Sequence, residues 1–272
     1  MKGLILSGGS GRRLRPLTHT SAKQLVPIAN VPILHYVVAD LVGVGITDIG
    51  IVVGDTGDEV RASVGDGSRW GASVTYIDQE APLGLAHAVR VAGEFLGDEP
   101  FAMYLGDNMF EDSLDEVVDG FDGSVAARLL LARVDDPSSF GVAELASDGS
   151  IAALFEKPED PPSDLALVGV YLFGPRIHEA VRAIEPSARG ELEITDAIQW
   201  LLDSGETVEH RVLERGPPCG GPIRCRILVI GEPLGQLRGH LRLGALGREI
   251  DASGQGQGGE GNCDRAAHGR RR

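Results

Sequence analysis

The chain has 272 residues, 42% of them hydrophobic, with 40 Asp and Glu against 25 Lys and Arg and a formal net charge of −15. This length can bury the core of one large α/β domain or two smaller ones. The acidity argues against general nucleic-acid binding, which needs a basic stripe, and no apolar run reaches the roughly 18 residues of a membrane span.

The opening MKGLILSGG holds too short an apolar stretch for a signal peptide, so the expected location is cytoplasmic. Its KGLIL reads as a strand, followed by SGGSGRRLRPLT, where Arg12, Arg13 and Arg15 form a local basic cluster in an acidic chain. Further along, DIGIVVG, SVTYI and FAMYLGD read as strands. Between them VPILHYVVADLVGVG, GDEVRASV, GLAHAVRVAGEFLG and SLDEVVDGF carry helical spacing. The alternation predicts a Rossmann-like, mostly parallel sheet with helices on both faces and ligands at the carboxyl ends of its strands. SGGSG and GDN (Gly106–Asn108) each follow a strand directly and should line one crevice.

From about residue 124 to 214, SVAARLLLARV, FGVAEL, IAALFEK, ALVGVYLF and TVEHRVL read as strands, and PRIHEAVRAI and ITDAIQWLLDSG as helices. This part is expected to be a smaller antiparallel extension of the same sheet. Residues 215–272 differ in kind: they hold all three Cys, 10 Arg and 14 Gly, and no Phe, Tyr, Trp, Met or Lys. The expected division is a core over 1–214 and an atypical tail over 215–272.

Several residues carry two readings. The glycines after the first strand serve either a tight turn or a phosphate cradle; neither a P-loop nor the spaced Gly-x-Gly-x-x-Gly pattern is present. Asp107 follows an apolar strand, where a carboxylate has no structural duty unless it caps a turn, and Gln79 is a solvated loop residue or reads a pyrimidine edge, with Gly84 leaving room for the base. Glu156 and Lys157 could be a surface ion pair worth under about 1 kcal/mol. Thr195 and Asp196 stand where side chains cap a helix. His35, His87 and His178 read as packing or surface residues, and Cys219, Cys225 and Cys263 form no zinc pattern.

The run GGSGRRLRPLTHTSAKQLVPIANVPIL, followed in order by QEAPLGLAHAV, YLGDN, FGV, FEKP, VGVYLF and RGELEITDAI, resembles the sugar-phosphate nucleotidylyltransferases, specifically the glucose-1-phosphate thymidylyltransferases of deoxysugar and antibiotic pathways. The resemblance covers nearly all of residues 1–214. It implies attack of a glucose 1-phosphate oxygen on the α-phosphorus of dTTP, giving dTDP-glucose and pyrophosphate. Such a reaction needs alignment and charge neutralisation more than covalent chemistry.

By the same resemblance, Gly8, Gly9 and Gly11 cradle the triphosphate, Arg13 holds it, Lys23 sits near the α-phosphate, and Asp107 binds Mg²⁺. Gln24, Gln79, Pro82 and Gly84 belong to the nucleotide side, with Gln79 and Gly84 on thymine. Leu85, Gly141, Glu156, Lys157, Gly169 and Glu191 belong to the sugar phosphate, with Arg189 beside Glu191.

Two departures stand out. Phe140 replaces the family's usual Tyr. No Trp-x-Asp-x-Gly-Thr segment, whose Asp is the family's second metal ligand, follows Leu213, and no hexapeptide period marks the tail. The composition there fits a G+C-rich gene read out of frame from about residue 215, or a divergent tail. A uridylyl-, cytidylyl- or adenylyltransferase, and a nucleotide-binding protein with impaired turnover, remain alternatives; a homo-oligomer is left open.

Overall fold

The computed structural model describes residues 1–8, 22–110 and 113–213 together with the backbone of 227–229, all within one compact unit, Met1–Gly239. Its elements in chain order are β1 (Lys2–Ser7), β2 (Pro27–Ile28), β3 (Val31–Pro32), α1 (Ile33–Gly43), β4 (Asp48–Val53), α2 (Gly57–Val64), β5 (Ser73–Asp78), α3 (Leu85–Val91), α4 (Gly93–Leu96), β6 (Phe101–Leu105), β7 (Asn108–Phe110) and α5 (Asp115–Val118). There follow β8 (Ala127–Arg133), β9 (Gly141–Leu145), β10 (Ile151–Glu156), β11 (Leu165–Phe173), α6 (Ile177–Ala183), α7 (Ile194–Asp203), β12 (Val208–Leu213) and β13 (Ile227–Val229).

Nine strands form one sheet in the order β10-β9-β11-β6-β1-β4-β5, with β8 on β11 and β12 on β8. Strands β5, β4, β1 and β6 run parallel, as the alternation of strands and helices requires. Side chains of β1 alternate between faces: Leu4 and Leu6 enter a core shared with α3, α4, α6 and α7, and Ile5 enters a second core under α1, α2 and α5. Burial on both faces explains why β1, β4 and β6 read as nearly continuous apolar runs, while the edge strand β5 alternates exposed and half-buried positions.

The extension joins through β11, antiparallel to β6. Its nine residues outrun β6. Val170–Phe173 pair with β6, whereas Ala166 pairs with Val142 of β9. The β9–β10 hairpin therefore stands beyond the carboxyl end of β6 and walls one side of the crevice there. Three expectations need correction. The helix expected over 84–97 breaks into α3 and α4 at Ala92, the helix within SLDEVVDGF is only four residues long, and β12 runs parallel, not antiparallel, to its neighbour β8. The return through α7 carries the chain back to the starting edge, which makes that last pairing a parallel crossover. The backbone of β13 pairs antiparallel with β7, Ile227 opposite Phe110.

Candidate active site

Strand β1 ends at the fully buried Ser7, and Gly106 N–H donates to Leu6 O at 2.9 Å. Ser7–Gly8 and Gly106–Asp107 thus share one crevice. On the other flank Gln79 N–H donates to Val53 O at 2.8 Å, so the chain leaving β5 also ends there. A Cβ on Gly8 would lie 3.1 Å from Gln79 Oε1, a closeness that the glycine's bare Cα permits.

The segment bearing Lys23 is pinned on three sides. Ala22 N–H donates to Glu59 Oε2 at 3.0 Å, the Gln24 side chain is buried against Gly106, and Tyr36 Oη donates to Ile28 O at 3.0 Å in the hairpin that follows. Lys23 Nζ consequently sits 2.5 Å from Asp107 Oδ2, both side chains about four-fifths buried (18% and 19% exposed). Partial burial strengthens such a pair relative to one in water and sets a cation beside a carboxylate at the strand ends. Nearby, Ser7 Oγ, Gln24 Oε1 and Asn108 Oδ1 are buried without a partner among the described residues, three of the four such atoms. Each orphan costs about 1–3 kcal/mol unless a ligand or water satisfies it, and their gathering at one place is the mark of a binding site.

The opposite wall begins at Asn108, whose Nδ2 donates to Val168 O at 2.8 Å. A side chain on the next residue, Gly169 (φ +80°), would put its Cβ 2.1 Å from that same nitrogen. Along the wall, Glu156 ends β10 only 19% exposed; its Oε1 accepts from Arg189 at 2.8 Å and lies 3.3 Å from Lys157 Nζ, while its Oε2 accepts from the Thr195 hydroxyl. Arg189 also donates to Glu193 at 2.7 Å and lies 3.8 Å from Glu191. Burial, with Glu193 and Glu156 nearby, raises the Asp196 carboxyl above its ordinary range despite Arg189. Lys157 has φ +44°, uncommon for a residue with a side chain and held by its N–H bond to Phe140 O at 3.0 Å. Carboxylates and a hydroxyl arranged around one guanidinium suit recognition of a polyhydroxylated ligand.

The two walls meet through the loop before α3. Gly84, at φ +104°, docks on the residue preceding Glu193: Leu192 N–H donates to Leu83 O at 2.7 Å and Ala86 N–H to Leu192 O at 3.0 Å.

Residues 2–215 match the family described as Nucleotidyl transferase. The chain belongs to that family. It is 60% identical over 216 residues to a glucose-1-phosphate thymidylyltransferase of Streptomyces antibioticus, covering 79% of this chain and 61% of that protein, and 58% identical over 214 residues to one of Streptomyces griseus, covering 78% and 60%. The chain thus spans about three fifths of the length of these relatives. A crystal structure from Bacillus anthracis, provisionally named a glucose-1-phosphate thymidylyltransferase and bound to a sucrose, superposes with a TM-score of 0.76 at 35% identity over 85% of this chain and 90% of that one.

In this nucleotidyl transferase the structure gathers Gly8, Lys23, Gln24 and Asp107 at the ends of β1 and β6, sets Gln79, Pro82, Gly84 and Leu85 in and after the loop that follows β5, and places Gly141, Glu156, Lys157, Gly169 and Glu191 on the hairpin side. Gly9, Gly11 and Arg13, and the expected boundary at 214/215, lie outside the described residues. Capping by Thr195 or Asp196 does not occur: Glu193 occupies the N-cap of α7 without a side-chain cap bond, and Thr195 serves Glu156 instead. Glu156 and Lys157 are correspondingly not an isolated surface pair. Sequence reasoning missed Thr195 and Glu193 as partners of this network, because 39 residues separate Thr195 from Glu156 and only the fold joins them. Ser7 and Asn108 belong to the SGGSG and GDN stretches expected to line the crevice, but nothing in the sequence signals that Ser7 Oγ and Asn108 Oδ1 would be buried there without a partner among the described residues.

Proposed function

We propose that this nucleotidyl transferase core condenses dTTP with α-D-glucose 1-phosphate to give dTDP-glucose and pyrophosphate, in the cytoplasm and in the service of deoxysugar or antibiotic assembly. The observation that carries the reading is a single crevice with the Lys23–Asp107 pair at its floor and the Glu156–Arg189–Thr195 network on its wall. The first suits phosphates and the second suits sugar hydroxyls.

In this reading Gly8 lets the triphosphate approach the backbone, and Arg13 and Lys23 offset its charge. Lys23 leaves Asp107 in part to meet the α-phosphate as negative charge builds there. Glu156 and Thr195 orient the hexose so that its 1-phosphate oxygen lies in line with the departing pyrophosphate. Lys157, on its strained backbone, points a second cation to the sugar phosphate.

Nucleotidyltransferases of this family generally use a divalent metal. Among the described residues no group of three His, Cys, Asp or Glu forms a metal cage, but magnesium needs only one or two carboxylates when substrate phosphates and water supply the rest. Asp107 beside the orphaned Asn108 Oδ1 fits such an ion, which when bound would neutralise phosphate charge.

A second reading, nucleotide binding without turnover, is favoured by one observation: no Trp-x-Asp-x-Gly-Thr segment follows Leu213. Calorimetry with dTTP beside a pyrophosphate-release assay separates the two. Exchanging residues 215–272 for a tail bearing that segment should raise pyrophosphate release at least tenfold; equal rates would show the second aspartate to be dispensable.

A further inference from the structure

Gln79 meets a histidine eight residues further on, across the Gly84 turn. Gln79 Nε2 is 2.9 Å from His87 Nδ1 and 3.4 Å from Gly84 O. A carbonyl can only accept, so the end of the amide facing Gly84 is its NH₂ group, and His87 Nδ1 must then accept as well. This fixes the ring as the neutral tautomer with its proton on Nε2. Burial, and then the charge of Arg90, lower the His87 pKa, in the direction that favours this neutral ring. Both Nε2 protons of Gln79 are thereby engaged, and its Oε1 turns toward Gly8, where a Cβ would press on it at 3.1 Å. Among the described residues nothing donates to that oxygen.

We propose that His87 is the positioning residue for base choice: by taking the amide protons of Gln79 it makes Gln79 a pure acceptor, which matches a pyrimidine whose ring N3 carries a proton and rejects one whose N3 is itself an acceptor. Thymine and uracil satisfy this rule and cytosine does not. The inference rests on the reading that Gln79 faces the base. It gives the half-buried His87 of α3 a polar duty toward the loop before that helix. It also gives Gly8 a second duty, since any side chain there would cover the acceptor oxygen.

The test is equilibrium binding of dTTP and dCTP to the full chain by calorimetry, so that it does not depend on turnover. The wild type should prefer dTTP. His87→Leu removes the acceptor, frees the amide to turn its NH₂ group outward, and should reduce the dTTP-over-dCTP preference at least tenfold. His87→Asn, which returns an acceptor near the place of Nδ1, should restore most of it. An unchanged preference in a His87→Leu protein that still binds both nucleotides overturns the proposal. If His87→Leu binds neither, His87→Asn decides: a preference like the wild type's supports the proposal and a collapsed one overturns it. Gln79→Ala separates the underlying reading. If it keeps the full preference, Gln79 does not face the base; if it loses the preference while His87→Leu keeps it, only the role of His87 fails.

Discussion

Replacing Gly84 by Ala should damage both halves of the site at once. Gly84 sits at φ +104° and ψ 171°, a region that only glycine occupies at ease, so any side chain adds about 1–3 kcal/mol of backbone strain. Its new Cβ would lie 2.3 Å from Leu192 O and 2.7 Å from Leu192 N. Both are main-chain atoms, so no rotamer change relieves the contact, and Leu192 must retreat by roughly 1 Å to reach ordinary van der Waals separation. That retreat breaks the 2.7 Å bond to Leu83 O and the 3.0 Å bond from Ala86 N–H, each worth about 1 kcal/mol. The sum is about 3–5 kcal/mol, or roughly 10 °C in Tm for a core of this size. Because Leu192 leads directly into Glu193 and α7, the affinities for dTTP and for glucose 1-phosphate should both fall. Thermal unfolding and calorimetry with each ligand measure this. A variant within about 2 °C of the wild type, with both affinities intact, would refute the reasoning.

Lys23→Ala should lower kcat/KM by about a hundredfold or more, since it removes a positioned charge from the reacting phosphate; a loss under about threefold in steady-state assays would place Lys23 outside the chemistry. Thr195→Val keeps the packing on Gly141 but leaves a Glu156 oxygen without its donor, so KM for glucose 1-phosphate should rise about tenfold with dTTP affinity unchanged. Asp40, half-buried on α1, accepts a hydrogen bond from Tyr104 Oη at 3.0 Å, and desolvation raises its pKa to about 6 from 3.8. The folded state thus holds this proton more tightly than the unfolded state, and stability is lost as pH rises from about 4 to about 6. Asp40→Asn should therefore stabilise the chain by about 3 kcal/mol at pH 8 and by little at pH 4; urea unfolding that gives the same difference at both pH values contradicts this.

The sheet was legible because its chemistry is local. Strand β4 reads as an apolar run since both its faces are covered, and α2 matched its expected bounds, Gly57 to Val64, where polar and apolar positions alternate at helical spacing. The break between α3 and α4 was not legible: Gly93 is tolerable inside a helix, and only packing decides whether it interrupts one. Strand β7 has three residues and depends on β13 for pairing, a contact more than a hundred residues distant. That Gly8 and Asp107 would share a crevice followed from motifs placed after strands, whereas the pairing of Lys23 with Asp107 was not foreseen. The partners of Glu156, and the bond between Gln79 and His87, depend on where loops cross, which no spacing along the chain encodes.

The central claim is a sugar-dependent transfer from dTTP, and phosphorus-31 NMR of the full chain with dTTP, α-D-glucose 1-phosphate and Mg²⁺ tests it most directly. dTDP-glucose and pyrophosphate should form in equal amounts, only when both substrates are present, and Lys23→Ala should remove the signal. Pyrophosphate released without the sugar phosphate, or dTTP bound with no sugar nucleotide formed, would contradict it.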